Sequence, residues 1–228
     1  MKRYLFWCAN EHVDFRVPEF ESLAEILDVT LTWVERTPES GEEREPWVII
    51  DLEDEAAAKK LLSRSISTRF CVELWADSPT RDGLHEANRK FMKDNEEGLT
   101  DVFDESKSFK VQADAFMKKY TMEEKLKRIN QFQYLPSKGC VNLNKPDVTF
   151  CALEYYGFDH NNLPEEPFRL FFGRLVGEGQ RDLITKFSLK KRLFIGNTSM
   201  DPQLSFLMAN VAAVRKAGFI FGRSFGGF

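Results

Sequence analysis

Along the first third of the chain the apolar positions change period several times, and each change marks an element. Arg3 to Ala9 is a continuous apolar and aromatic run, the pattern of a buried strand. Phe20, Leu23, Ala24 and Leu27 then share one helical face within Phe15–Leu27, behind Pro18 in the first turn. Leu31–Arg36 alternates as a strand does, and Trp47–Leu52 predicts another. Asp54–Arg64 opens acidic, carries alanines in its middle and has Lys59, Lys60 and Arg64 later, the charge order that complements a helix dipole. Phe70–Trp75 closes the series. Strand-helix-strand-strand-helix-strand within residues 1–78 is the ferredoxin-like βαββαβ order, which hosts many functions and by itself selects none.

Beyond it the pattern is looser. Asp77–Gly83 has the chemistry of a linker turn. Leu84–Asn95 predicts a helix, Glu96–Ser108 a polar connector and Phe109–Ala113 a strand. Thr121 and Glu124 have capping-box spacing ahead of a helix with Met122, Leu126 and Ile129 as its apolar stripe. Gly139–Glu154 reads as two strands around a Lys-Pro-Asp turn, and Leu170–Val176 as a third. Asp201 before Pro202 is a helix start, an acceptor at the cap and a proline where the missing N–H costs nothing. Leu204, Leu207, Met208, Val211 and Val214 then fall on one face, the stripe expected to seek a partner surface, and Ala217–Phe221 is a short strand candidate.

Composition adds limits. A chain of 228 residues, 43% of them hydrophobic, suffices for one large or two small domains. The apolar run Tyr4–Ala9 is too short for a signal segment, and no run has membrane-spanning length, so a cytoplasmic protein is expected. Cys8, Cys71, Cys140 and Cys151 lie far apart with no CxxC pair, which predicts buried free thiols rather than a metal or redox site. His12, His85 and His160 have no partner spacing, so no metal is expected.

Charge changes the picture most. Met1–Ser106 holds 13 Lys+Arg against 25 Asp+Glu, while Lys107–Phe228 holds 19 against 11, so halves of net −12 and +8 lie beneath a total of −4. Such a split points to an anionic partner for the basic half, nucleic acid being the commonest. The alternative is that the two halves neutralise each other.

Three local patterns together resemble one family. The segment Val141-x-Leu143-x-x-Pro146-Asp147-Val148-x-Phe150 looks like the core of a THUMP domain, an RNA-binding module of tRNA-modifying enzymes, and a ferredoxin-like unit is its usual companion. Arg192–Asn210, with Gly-Asn-Thr-Ser-Met-Asp-Pro and Leu-Ser-Phe-Leu-Met-Ala-Asn, resembles the opening of the methyltransferase domain in THUMP-containing tRNA (guanine-10-N2)-methyltransferases. The resemblance implies an α+β chain: a ferredoxin-like domain at 1–78, an α/β THUMP domain at 79–185, a basic linker at 186–196, and an incomplete start of a Rossmann-like methyltransferase domain at 197–228. It departs after Phe221, where Gly-Arg-Ser-Phe-Gly-Gly-Phe stands in place of the family's cofactor motif, and no Asp-Pro-Pro-Tyr stretch is present.

The family moves a methyl group from S-adenosylmethionine to a guanine N2 of tRNA, with a small zinc-containing activator subunit. The resemblance therefore implies a tRNA-binding portion without catalysis of its own, no cofactor bound by this chain, and no activator subunit for it. The expected RNA contacts are Lys186, Lys190, Lys191 and Arg192, with Lys138, Lys145, Arg169 and Arg174 beside them; Asn197, Thr198, Ser199 and Met200 are a remnant of the cofactor side. Two other readings stay open: an active methyltransferase, and a protein-interaction fragment that binds no RNA.

Overall fold

The computed structural model describes residues 1–36, 45–159, 161–191, 196 and 199–215. Its elements, in chain order, are β1 (Lys2–Cys8), α1 (Arg16–Leu27), β2 (Leu31–Glu35), β3 (Trp47–Leu52), α2 (Glu55–Leu62), β4 (Thr68–Ser78), α3 (Arg81–Asp94), α4 (Glu96–Leu99), β5 (Phe109–Phe116), α5 (Met122–Asn130), β6 (Val148–Tyr155), β7 (Arg169–Glu178), α6 (Asp182–Lys186) and α7 (Pro202–Val211). The fold is mixed α+β, and no helix among the described residues is long and apolar enough to cross a membrane.

All seven strands join one sheet in the order β2-β3-β1-β4-β7-β6-β5. The ladders are antiparallel except between β5 and β6, which run parallel. The sheet is thus continuous past residue 78: β4 is bordered by β1 on one side and by β7 on the other.

Strand periodicity assigns the two faces. Tyr4, Phe6, Val48, Ile50 and Cys71 meet Phe20, Leu23, Ala58 and Leu61 of α1 and α2. Further along, Trp75, Phe150, Ala152 and Phe172 meet Leu84 of α3 and Phe132 just past α5. The alternate side chains Leu5, Trp7, Trp47, Ile49, Val72, Leu153, Tyr155 and Phe171 form a separate cluster, and apart from Phe158 every member stands on a strand. Trp7 of β1 and Phe116 of β5 are four strand positions apart, a span of roughly 19 Å in a flat sheet, yet their rings lie 6.4 Å apart. The sheet therefore curls around this aromatic cluster.

The two helix starts read from capping chemistry, at Thr121 and Asp201, hold, and α2 has a side-chain cap as well. The Asp54 carboxylate accepts from the amide of Ala57 at 2.8 Å, and Thr121 and Glu124 form the complete reciprocal box. Asp201 accepts from the amides of Gln203 and Leu204, with Pro202 in the first turn.

Four sequence expectations give way. Gly139–Leu143 is not a strand; Val141 makes one isolated bridge to Phe109, and the Asn142 side chain accepts the amides of Asn144 and Lys145, an alternative to ladder pairing. In α5 the expected stripe is mostly outside, with Met122 and Leu126 exposed and only Ile129 packed on the core. In α7 the buried positions are Pro202, Gln203, Leu207 and Asn210, while Met208 and Val211 face water. Cys140 is exposed, and only Cys8, Cys71 and Cys151 are the buried thiols expected. The strand candidate Ala217–Phe221 and His160 lie outside the described residues.

Helix α7 docks on α1 and on the turn after α2, with polar atoms at the contact. The Asn210 amide donates to the buried Glu19 carboxylate at 2.7 Å and to the Arg64 carbonyl at 2.9 Å, and Ser22 donates to the Asn210 carbonyl at 2.6 Å. Glu19 also accepts from the amides of Ile66 and Ser67, so the latch ties α7 to the loop that leads into β4.

At the junction of β4 and β7, Gly173 sits so close to its neighbour that a Cβ would stand 2.0 Å from the Glu73 carbonyl oxygen. Gly173→Ala is expected to force the two strands apart and destabilise the chain by about 1–3 kcal/mol, the usual cost of overpacking. Urea unfolding followed by circular dichroism measures it; an unchanged midpoint would mean the strands shift without cost.

Candidate nucleic-acid interface

The ladder register collects the predicted lysines at one end of the sheet. β5 and β6 both start there, at Phe109 and Val148, and β7, antiparallel to β6, ends there at Glu178. The segment carrying Lys138 and Lys145 returns to the same end, since the Phe109 amide donates to the Cys140 carbonyl at 3.0 Å. After β7 the chain turns toward β4: the Gln180 amide donates to the Ser65 carbonyl at 2.8 Å, and Arg181 reaches the Ile66 carbonyl and Glu11. Lys186 closes α6, and Lys190 and Lys191 follow in a short 3-10 turn. Lys138, Lys145, Lys186, Lys190 and Lys191 are all exposed, and none forms an ion pair among the described residues. Arg192, Asn197 and Thr198 lie outside the described residues; Ser199 precedes the cap of α7, and Met200 is exposed.

The two predicted arginines are elsewhere and are committed. Arg169, at the start of β7, donates to both oxygens of Glu35 at 2.8 and 2.6 Å and also pairs with Asp77. Its guanidinium lies over the rings of Trp47 and Phe171, capping the aromatic cluster. Arg174 donates to Glu73 at 2.7 Å and to Glu55 at 2.5 Å, and Glu73 also receives Lys2 at 2.6 Å. Burial opposes ionisation of Glu73, yet Lys2 and Arg174 hold its carboxyl below the usual range. Both arginines belong to the basic half and all four carboxylates to the acidic half, so the halves do neutralise each other here.

A second node lies among residues of the basic half and the start of α3. Arg81 donates to the two oxygens of Glu154 at 2.6 and 3.1 Å, Arg128 to the first at 3.0 Å, and the hydroxyls of Tyr156 and Tyr120 to the second. This fixes α3 and α5 against β6. Arg128 of α5 is therefore structural, whereas Lys118 lies over the Tyr156 ring at 4.4 Å and Lys125 stands 3.7 Å from Asp114.

No group of three or more His, Cys, Asp or Glu residues able to hold a metal occurs among the described residues. His85 bonds the Tyr134 hydroxyl through Nδ1 at 3.0 Å, and burial lowers its pKa. Burial also pushes the thiols of Cys8 and Cys151 up to about 12, which leaves them unreactive at neutral pH. A cleft of about 380 Å³ opens beside β1 and α4, but its carboxylates Asp51 and Glu73 are already paired with Arg3 and Lys2. Sequence reasoning missed Phe187, an exposed aromatic next to Lys186; its only signal was its place among the cations.

The family model Tmrp11 THUMP N-terminal domain matches residues 2–181. The tRNA (guanine(10)-N(2))-methyltransferase TRMT11 of Rattus norvegicus is 37% identical over 221 residues, which cover 97% of this chain and 46% of that protein. The tRNA (guanine(10)-N(2))-methyltransferase of Saccharomyces cerevisiae is 32% identical over 222 residues, covering 97% of this chain and 49% of that protein. The chain thus spans about half the length of the curated relatives it matches. Among solved structures, TrmN from Thermus thermophilus aligns with a TM-score of 0.49 at 15% identity, over 93% of this chain and 55% of that one.

The Glu154 node has a pH signature. Burial raises the carboxyl's pKa, but the bonds from Arg81, Tyr120 and Tyr156 outweigh it and bring it from 4.5 down to about 2. A depressed folded-state value stabilises the fold above the unfolded pKa, on the order of 3 kcal/mol for this interval. That contribution is expected to disappear as pH falls from about 4.5 toward 2. Glu154→Gln is expected to be less stable at pH 7 and to lose less stability on acidification. Equal acid slopes in urea titrations at pH 7, 4 and 3 would contradict it.

Proposed function

Since the chain belongs to the Tmrp11 THUMP N-terminal domain family, we propose that it is the tRNA-binding portion of a tRNA guanine-N2 methyltransferase. It grips tRNA through phosphates and shape rather than base identity. The observation that carries this reading is the division of cations. The basic half's Arg128, Arg169 and Arg174 are spent on internal carboxylates, while Lys138, Lys145, Lys186, Lys190 and Lys191 stand exposed at one end of the sheet. An exposed lysine is a compact charge on a flexible stem, suited to phosphates whose positions vary from one tRNA to another.

The finer organisation follows from the same reading. Residues 1–78 form a ferredoxin-like unit, supported by the antiparallel order β2-β3-β1-β4 with α1 and α2 on one face. Residues 79–185 are the THUMP domain, 186–196 a basic linker, and the stretch from 197 the opening of a methyltransferase domain. Methyl transfer from S-adenosylmethionine is assigned to the intact enzyme rather than to these residues. The binding surface is expected to orient tRNA for it.

Binding of unmodified tRNA is expected to weaken linearly in log K against log salt, as released counterions require. Replacing Lys186, Lys190 and Lys191 together with Ala is expected to lower affinity at least tenfold at low salt and to make the slope shallower by about two to three. Arg169→Ala is expected to lower the melting temperature and leave the slope unchanged. Gel shifts at several salt concentrations decide this, and a flat salt response or no binding at low salt would overturn the reading.

A further inference from the structure

Phe187 follows α6 directly, and the residue is 48% exposed. The backbone beneath it is fixed, with the Phe187 amide donating to the Leu183 carbonyl at 2.8 Å. From one side the ring is supported by Phe206 of α7, with centroids 5.6 Å apart and planes at 71°. An edge-to-face contact of this kind occupies at most one face of the Phe187 ring.

The Lys186 ammonium stands 5.8 Å from the ring centroid, at the outer limit of a cation–π contact, and Lys190 and Lys191 follow on the next turn. The support does not float either. Phe206 belongs to the helix that Asn210 and Ser22 anchor to α1, so the ring rests on an element tied to the sheet.

A half-open ring on a fixed backbone, braced from one side and followed by lysines, combines the two components that hold single-stranded nucleic acid: a π-face for a base and charge for its phosphates. We propose that Phe187 is a stacking platform for an unpaired nucleotide of the bound RNA, with Lys186, Lys190 and Lys191 holding the adjoining phosphates. This rests on the tRNA-binding reading above and deepens it, because it adds a contact to a base face where that reading has only phosphates. Stacking is tolerant of base identity, so the platform selects unpaired over paired nucleotides rather than one base over another.

Two substitutions and two ligands test it. Phe187→Leu keeps an apolar side chain of similar size and removes the ring; Phe187→Trp keeps a ring. Affinity for unmodified tRNA is expected to fall about tenfold for Phe187→Leu, within the range a base–aromatic stack contributes, with an unchanged salt slope. Phe187→Trp is expected to bind at least as well as the unaltered chain. A short single-stranded RNA carrying 2-aminopurine is expected to lose fluorescence on the unaltered chain and on Phe187→Trp, but not on Phe187→Leu.

If Phe187→Leu binds tRNA like the unaltered chain while the triple lysine variant does not, the platform is wrong and the phosphate surface stands. If the triple lysine variant also binds normally, the tRNA-binding reading of this surface falls with it. If Phe187→Trp weakens binding as much as Phe187→Leu, the ring serves packing against Phe206 and the platform is wrong.

Discussion

A seven-stranded sheet has two faces to withdraw from water, and here the described helices α1, α2, α3 and α5 serve one of them. The other face is closed by curvature, with Trp7, Trp47, Tyr155 and Phe171 brought into contact across strands that a flat sheet would hold apart. Everything else depends on this closure. It requires the β4–β7 ladder to be unbroken in connection yet bent, and the register shifts at Cys71/Val72 and Leu74/Ala76 supply the irregularity where bending is needed. It also brings Glu35 of β2 within reach of Arg169 of β7, so the ion pair that caps the aromatic cluster exists only because the sheet curls.

Electrostatics follows from the same geometry. A chain with an acidic first part and a basic second part could neutralise itself wholly, and the curled sheet limits how far that goes. Arginines on β7 face carboxylates of the first part and are consumed in two-pronged pairs, which suit the planar guanidinium. The lysines sit on loops, a 3-10 turn and the end of the short helix α6, where none forms an ion pair among the described residues. Composition alone counts both kinds of cation equally. Position on strand or loop decides which kind is available to a ligand.

The first six elements were legible in the sequence because period and charge order agree there: Trp47–Leu52 is reproduced residue for residue, and α2 (Glu55–Leu62) falls inside the segment whose charge order complements a helix dipole. Legibility failed where local chemistry or tertiary context outweighed the pattern. The Asn142 side chain accepts from the amides of Asn144 and Lys145 and turns the chain directly after its single bridge to β5. In α7 the apolar stripe is turned so that Leu207 faces the protein while Met208 and Val211 do not, because Asn210 finds Glu19 and a buried carboxylate constrains orientation more tightly than Met208 and Val211 do. Of the expected RNA contacts, the lysines were readable from charge clustering, whereas the fates of Arg169 and Arg174 depended on partners more than ninety residues away in sequence. The single aromatic within the cationic cluster could not be distinguished from core by spacing.

The latch on α7 has one more consequence, and it concerns registration. Apolar helix contacts tolerate sliding, since one methyl can replace another along a groove. The Asn210 contact does not. Displacing α7 by one turn in either direction would bring Phe206, Leu207, Ala213 or Val214 to the Glu19 carboxylate, and none of these side chains can donate a hydrogen bond. The helix therefore has a single stop on α1, so whatever α7 carries is held at a fixed rotation and translation relative to the sheet, by bonds whose strength is ordinary and whose geometry is not interchangeable.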